Sequence, residues 1–488
     1  LRRAEHSLDL SSQLEAPRNT SESYAPSTDN AFKDIVNPGD ERATFSTDVD
    51  TASYSNVRRF ITNGQRPPRD AVRVEEMINY FHYDYPNPVD AERPFSVNLE
   101  VNDAPWAPGH RLLRIGLKAK DVMVDERPDS NLVFLIDVSG SMAPFNKLPL
   151  LKKSLKAMVG GLTERDIVSL VVYSGESRVH LAPTPGSETS RLITSIDQLR
   201  SGGSTNGESG IQLAYELAGK HRIANGVNRV LLATDGINRV ILCTDGDFNV
   251  GTTNTQQLIA MAKKRAKEDH IFLTVLGLGE DNVKDDRMEQ LADQVDGAYH
   301  YIDSEREGRK VLIDEMSATL VPVAKDVKVQ VEFNPAKVKR YRLIGYANRL
   351  LANRDFTDDT KDAGEMGAGH SVTAFYEIVP TGNEGVGPND APLKYRRKAE
   401  RAPAQLAPMN ASEDLVTVRL RYKEPSSETS KAFETSLIDR GIGWAAASED
   451  FRFATAVAAF GMKLRGSPYC EASFEAILQW ATGACVND

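Results

Sequence analysis

The chain has 488 residues, an apolar fraction of 40% and a charged fraction of 26%, a globular balance with room for roughly two or three domains. Its net charge of -10 and pI near 5.5 argue against a nucleic-acid or anionic-membrane surface, which needs a basic patch. No apolar stretch approaches the roughly 20 residues that a membrane-spanning helix requires.

Residues 1–43 are rich in Ser, Asn, Asp, Pro and Glu and read as a disordered arm. The first residue is Leu1 rather than Met, which leaves room upstream for a signal or lipid-anchor segment. Order is expected from residue 44, with a helix over 52–61 capped by Asp50 or Thr51. The pair Asp48-x-Asp50 resembles the opening of a phosphatase aspartate motif, but no buried strand precedes it, so capping and turn chemistry is the reading. A second helix over 71–81 stops at Pro86 and Pro88. From Phe95 the pattern turns to alternation over 95–101 and 112–119, and the same texture returns at 327–333, 341–345, 372–379 and 415–422. These are half-buried antiparallel strands.

Between the two sets the chain alternates strand and helix. The expected fold is α/β: a doubly wound, mostly parallel sheet over 129–320, inserted in or flanked by an antiparallel β-sandwich. The remaining units are an N-terminal helical and β region over 44–128, sandwich strands within 321–440 and a helical region over 441–488. Two separate β domains are the alternative. Residues 381–410, loaded with Pro, Gly, Ala and basic side chains, read as a long loop. Cys243 reads as a small core residue, and Cys470 and Cys485 as a candidate disulfide pair in an oxidising compartment.

The chemistry concentrates in the inserted unit. Residues 132–136 form a continuous apolar run, a strand buried on both faces. It ends in Asp137, Ser139 and Ser141, with Gly140 at the turn and a helical pattern beyond. Oxygen side chains thus sit on a strand-to-helix loop at the carboxyl end of a sheet, where open α/β folds place ligands. Hard oxygens without sulfur or imidazole suit Mg²⁺, or less specifically Ca²⁺ or Mn²⁺. The loop Ser201-Gly-Gly-Ser204-Thr205-Asn-Gly207 precedes a helix, so Thr205 alone would read as a cap, and no Gly-Lys-Ser/Thr follows to make it a phosphate loop. A strand-end aspartate follows in Thr244-Asp245-Gly246. Each feature is bland alone; the three in this order are specific.

At these residues the chain resembles the von Willebrand factor type A domain, and Asp137-Val-Ser139-Gly-Ser141, Thr205 and Asp245 match its metal-ion-dependent adhesion site. Four flanking stretches, beginning at Phe45-Ser-Thr-Asp-Val-Asp, Glu75-Glu-Met-Ile-Asn-Tyr-Phe, Tyr341-Arg-Leu-Ile-Gly-Tyr and Ala447-Ser-Glu-Asp-Phe-Arg-Phe, are similar to a bacterial family of such proteins. Those proteins carry an N-terminal von Willebrand-associated region and a C-terminal domain of unknown function. The resemblance implies a non-enzymatic binding protein of the bacterial cell envelope or periplasm, often lipid-anchored. Ser139, Ser141 and Thr205 would hold the ion directly, with Asp137 and Asp245 acting through water. A partner's Asp or Glu would complete the shell.

The chain departs from the family in one place. Gly226-Val-Asn-Arg-Val-Leu-Leu-Ala-Thr-Asp235 is followed directly by Gly236-Ile-Asn-Arg-Val-Ile-Leu-Cys-Thr-Asp245. Only one copy fits the central strand slot. Asp245 keeps the run Thr-Asp-Gly-Asp-Phe-Asn-Val-Gly, so the second copy is expected in the sheet, with Val230, Leu231 and Leu232 of the first exposed. The alternative sets Asp235 at the metal. Two other functions compete. A Mg²⁺-dependent hydrolase lacks its second aspartate, because Ser139 stands there; a structural envelope protein would carry an idle metal site.

Overall fold

The computed structural model describes residues 22–90, 93–123, 127–204, 208–224, 226–234, 255–269, 271–280, 283–293, 297–315, 321–361, 363–382, 412–425 and 427–484. Before the inserted unit run β1 (Lys33–Asp34), β2 (Arg42–Ser46), α1 (Ala52–Thr62), α2 (Val74–Asn79), β3 (Phe95–Asp103) and β4 (Arg111–Ala119). The unit itself holds β5 (Ser130–Asp137), α3 (Leu148–Val159), β6 (Asp166–Tyr173), β7 (Ser177–Pro185), α4 (Thr189–Gln198), α5 (Glu208–Lys220), β8 (Val227–Thr234), α6 (Thr255–Asp269), β9 (Ile271–Leu278), α7 (Asp285–Asp293), β10 (Ala298–Ile302) and α8 (Glu305–Arg309). After it come β11 (Pro322–Phe333), β12 (Val338–Ile344), β13 (Leu350–Leu351), β14 (Gly364–Gly367), β15 (Ser371–Pro380), β16 (Val416–Lys423), β17 (Ser430–Leu437), α9 (Glu449–Arg465) and α10 (Phe474–Thr482).

The insertion is real. Two antiparallel sheets, ordered β1-β12-β15-β4-β3 and β13-β2-β11-β16-β17, draw strands from both sides of the inserted unit. They pack face to face because each carries an alternating apolar row. In β16, Val416, Val418 and Leu420 are buried while Thr417, Arg419 and Arg421, which alternate with them, are half-buried. Phe333 of one sheet stacks on Tyr341 of the other at 3.8 Å, and Phe95 meets Tyr422 edge-on at 5.0 Å. The inserted sheet is ordered β10-β9-β8-β5-β6-β7, parallel except for β7. All eight residues of β5 are buried. Leu132, Phe134 and Ile136 join the core shared with the sandwich, while Val133 and Leu135 pack with α5, α6 and α7.

Two expectations are corrected. Residues 22–43, read as part of a disordered arm, lie along the fold. Glu22 pairs with Arg59 at 2.9 Å, Asn30 Nδ2 donates to the Leu343 and Gly345 carbonyls, and β1 pairs with β12. A mostly polar sequence was enough here because backbone and charged partners hold it, with Ile35 and Ala43 set into the core. Asp48 and Asp50 do not cap α1. Its cap residue, Thr51, makes no side-chain cap bond. Instead Asp50 Oδ1 accepts from Tyr299 N at 2.8 Å, and Arg349 spans Asp48, Asp50 and Asp293. The pair therefore clamps the N-terminal region to the inserted unit and the sandwich.

Residues 383–411, which include most of the expected long loop, lie outside the described residues, as do Cys243 and Cys485. Among the described residues, Cys470 is a buried free thiol. Among the described residues no helix is long and apolar enough to cross a membrane.

Candidate functional site

The site is built at the carboxyl end of β5. Past Asp137 the chain turns through Val138, whose N–H donates to Tyr173 O at 3.0 Å, into a short 3₁₀ turn over Gly140–Met142. Met142 is buried beneath this turn and pins it. Asp137 is buried, and both its oxygens accept hydrogen bonds, Oδ1 from Ser139 N at 2.8 Å and Oδ2 from Thr234 Oγ1 at 3.3 Å. Its carboxylate is thereby held in place rather than free to swing. The hydroxyls of Ser139 and Ser141 stand 3.0 Å apart. Ser139 is buried and Ser141 exposed, so the pair opens to solvent on one side.

The glycine-rich loop is docked on this turn through backbone hydrogen bonds. Gly202 N donates to Val138 O at 2.7 Å, and Gly140 N donates to Gly203 O at 3.1 Å. Gly203 sits at φ +83°, a conformation that disfavours a side chain, which is why the loop is glycine-rich. Ser204, the residue before Thr205, is exposed on the same loop. Thr205, Asp235 and Asp245 lie outside the described residues. Of the expected ligand set, Asp137, Ser139 and Ser141 are thus together, with the loop that leads into Thr205 beside them.

The strand slot next to the site is filled by the first copy of the duplicated segment, not the second. Val227–Thr234 pairs in parallel with β5 on one side and β9 on the other. Val230, Leu231 and Leu232, expected to be exposed, are buried. The slot is short and selects a strand by its apolar core, not by the residues that follow it, and both copies offer that core. Thr234 is the contributor that sequence reasoning passed over. Its signal was the Thr-Asp dipeptide that ends both copies.

The comparisons with known proteins agree with this architecture. Residues 131–312 match the von Willebrand factor type A domain, residues 18–114 a von Willebrand factor model, and residues 318–488 the C-terminal region of uncharacterized protein YfbK. Uncharacterized protein YfbK of Escherichia coli (strain K12) is 42% identical over 474 residues, spanning 95% of this chain and 78% of the relative. The chain belongs to the YfbK family. It shares that family's bacterial von Willebrand factor type A domain followed by a distinct C-terminal region. A more distant relative of this YfbK-family chain is the magnesium-chelatase 67 kDa subunit of Chlorobaculum tepidum, 21% identical over 276 residues, 52% of this chain and 44% of that protein. Among solved structures, a von Willebrand factor type A protein from Catenulispora acidiphila aligns at TM-score 0.40 and 14% identity, over 76% of this chain and 81% of its own. A type A domain of this kind is a protein-interaction module.

Proposed function

We propose that this YfbK-family chain is a non-enzymatic, divalent-cation-dependent binding protein of the bacterial cell envelope, whose partner presents an Asp or Glu to the ion. The observation that carries the reading is the Ser139–Ser141 hydroxyl pair, 3.0 Å apart and set on a fixed turn beside the buried carboxylate of Asp137. The donor set fits a hard cation such as Mg²⁺, or Ca²⁺ or Mn²⁺. Ser139, Ser141 and Thr205 would hold it through hydroxyl oxygen, and Asp137 with Asp245 or Asp235 would act through water. The two hydrogen bonds already accepted by Asp137 favour such an outer role. With few anionic ligands in direct contact, a bound ion keeps a strong pull on one further carboxylate. The envelope placement rests on the family resemblance.

The test is a pull-down from an envelope extract on the immobilised full chain in Mg²⁺, repeated with EDTA and with Asp137→Ala. Loss of the same retained protein in both supports the reading. Retention through both treatments points to the idle-site alternative, and release of phosphate from an aryl phosphate points to a hydrolase.

A further inference from the structure

The duplicated segment gives the sheet two candidates for one slot. The contacts that seat β8 come from a handful of side chains. Asn228 Oδ1 accepts from Ile223 N at 2.9 Å, and its Nδ2 donates to Ile223 O and Gly226 O. Arg229 Nη1 donates to Thr274 Oγ1 at 2.9 Å, and Thr234 Oγ1 reaches Asp137. Val230, Leu231 and Leu232 fill the core. Gly226 stands where a Cβ would lie 2.7 Å from Asp129 O, so entry to the strand requires glycine.

Every one of these requirements is met again ten residues later. Gly236, Asn238, Arg239, Val240, Leu242 and Thr244 repeat the seating residues unchanged; Leu231 to Ile241 keeps size, Val227 to Ile237 and Ala233 to Cys243 each add one heavy atom, and all three keep apolarity. A shift of ten residues is even, so it preserves which side chains face which side of the sheet. It moves surplus chain from the segment after the strand to the segment before it, and loop-closure entropy changes little with such a transfer.

We propose that the slot between β5 and β9 accepts either copy, so that the chain has two strand registers ten residues apart. Both end in Thr-Asp at the carboxyl end of the sheet. They differ in whether the surplus decapeptide follows the strand or precedes it in the chain. The exchange does not rest on the function proposed above.

Proline in a central parallel strand removes a ladder N–H and blocks the slot. Val230 pairs with Val133 and Leu273, so Val230→Pro excludes the first copy and Val240→Pro the second. The full chain is prepared as each single variant and as the double, and thermal unfolding is followed by circular dichroism without added metal. The expected pattern is a cooperative transition in both single variants and its loss in the double. Loss of folding in either single variant alone, or folding of the double, overturns the proposal. A parallel Mg²⁺ titration of the single variants reads the site separately, so failure of the metal reading leaves the folding result standing.

Discussion

Arg342 and Glu377 show what a single buried pair does in this molecule. They are 1% and 2% exposed and meet at 2.6 Å, with His110 Nδ1 2.5 Å from the other carboxylate oxygen. Burial raises the Glu377 carboxyl, but Arg342 and His110 outweigh it and hold it below the ordinary range. The Arg342 guanidinium also lies 4.4 Å from the Tyr469 ring and donates to Met462 sulfur, so it fastens the C-terminal helices to the sandwich. Arg342→Ala should cost about 3–5 kcal/mol in chemical denaturation, since it strands a buried carboxylate. A loss within about 1 kcal/mol would mean that the pair is not closed in solution. Little of this was legible in the sequence: Arg342 sits in an alternating strand and reads as solvent-facing, because its partner is 35 residues away. Asp137, Ser139 and Ser141 were legible, since one turn holds all three and the buried strand before them fixes where that turn lies. Asp48 and Asp50 were misread because their partners, Tyr299 and Arg349, come from distant segments.

Elements with local signals were the easiest to read. Helix α9 starts at Ser448, whose Oγ accepts from Phe451 N at 3.1 Å, and ends at Gly466 in the left-handed region at φ +70°. Both signals are in the sequence, and the helix falls within the helical region expected over 441–488. Ser448 Oγ also donates to Glu100 at 2.6 Å, which ties the cap to β3. Ser448→Ala should therefore destabilise by about 1–2 kcal/mol, and Ser448→Asp should recover part of the cap while repelling Glu100; thermal melts of the two separate the contributions. The duplicated strand was illegible at this scale, because copies of equal apolarity give periodicity nothing to choose between. The preference for the second copy relied on residues after the strand rather than on its apolar core.

At the scale of the molecule, the N-terminal region and the inserted unit meet through charge. Arg73 pairs with Asp285 at 2.6 Å and contacts Glu76 and Glu289, all buried, between α2 and α7. Carboxylates outnumber the arginine, and burial together with Glu76, Asp285 and Asp293 pushes Glu289 up to about 8 against the pull of Arg73. Glu315, buried and only partly compensated by Lys310, is raised to about 7. Groups of this kind hold a proton in the folded chain that they lose in the unfolded chain above about 4.3. The stability these two carboxyls contribute should thus fall as pH rises from about 5 through 7 and 8, the reverse of a salt-bridged carboxylate, while His300 and His370, lowered by desolvation to about 4, oppose the fall below about 6.5. Melting temperature against pH checks this, and Glu289→Gln should flatten the upper part of the fall. The insertion of the type A domain was legible from alternation on both sides of it; the charged junction was not, because it is assembled from residues more than two hundred positions apart. Whether the Ser139 and Ser141 hydroxyls hold a divalent cation is read by calorimetric titration of Mg²⁺ into the full chain and into the double variant Ser139→Ala, Ser141→Ala. One saturable site is expected in the parent chain, weakened about tenfold or more in the variant at unchanged melting temperature. Equal binding by both, or none by the parent chain, would contradict it.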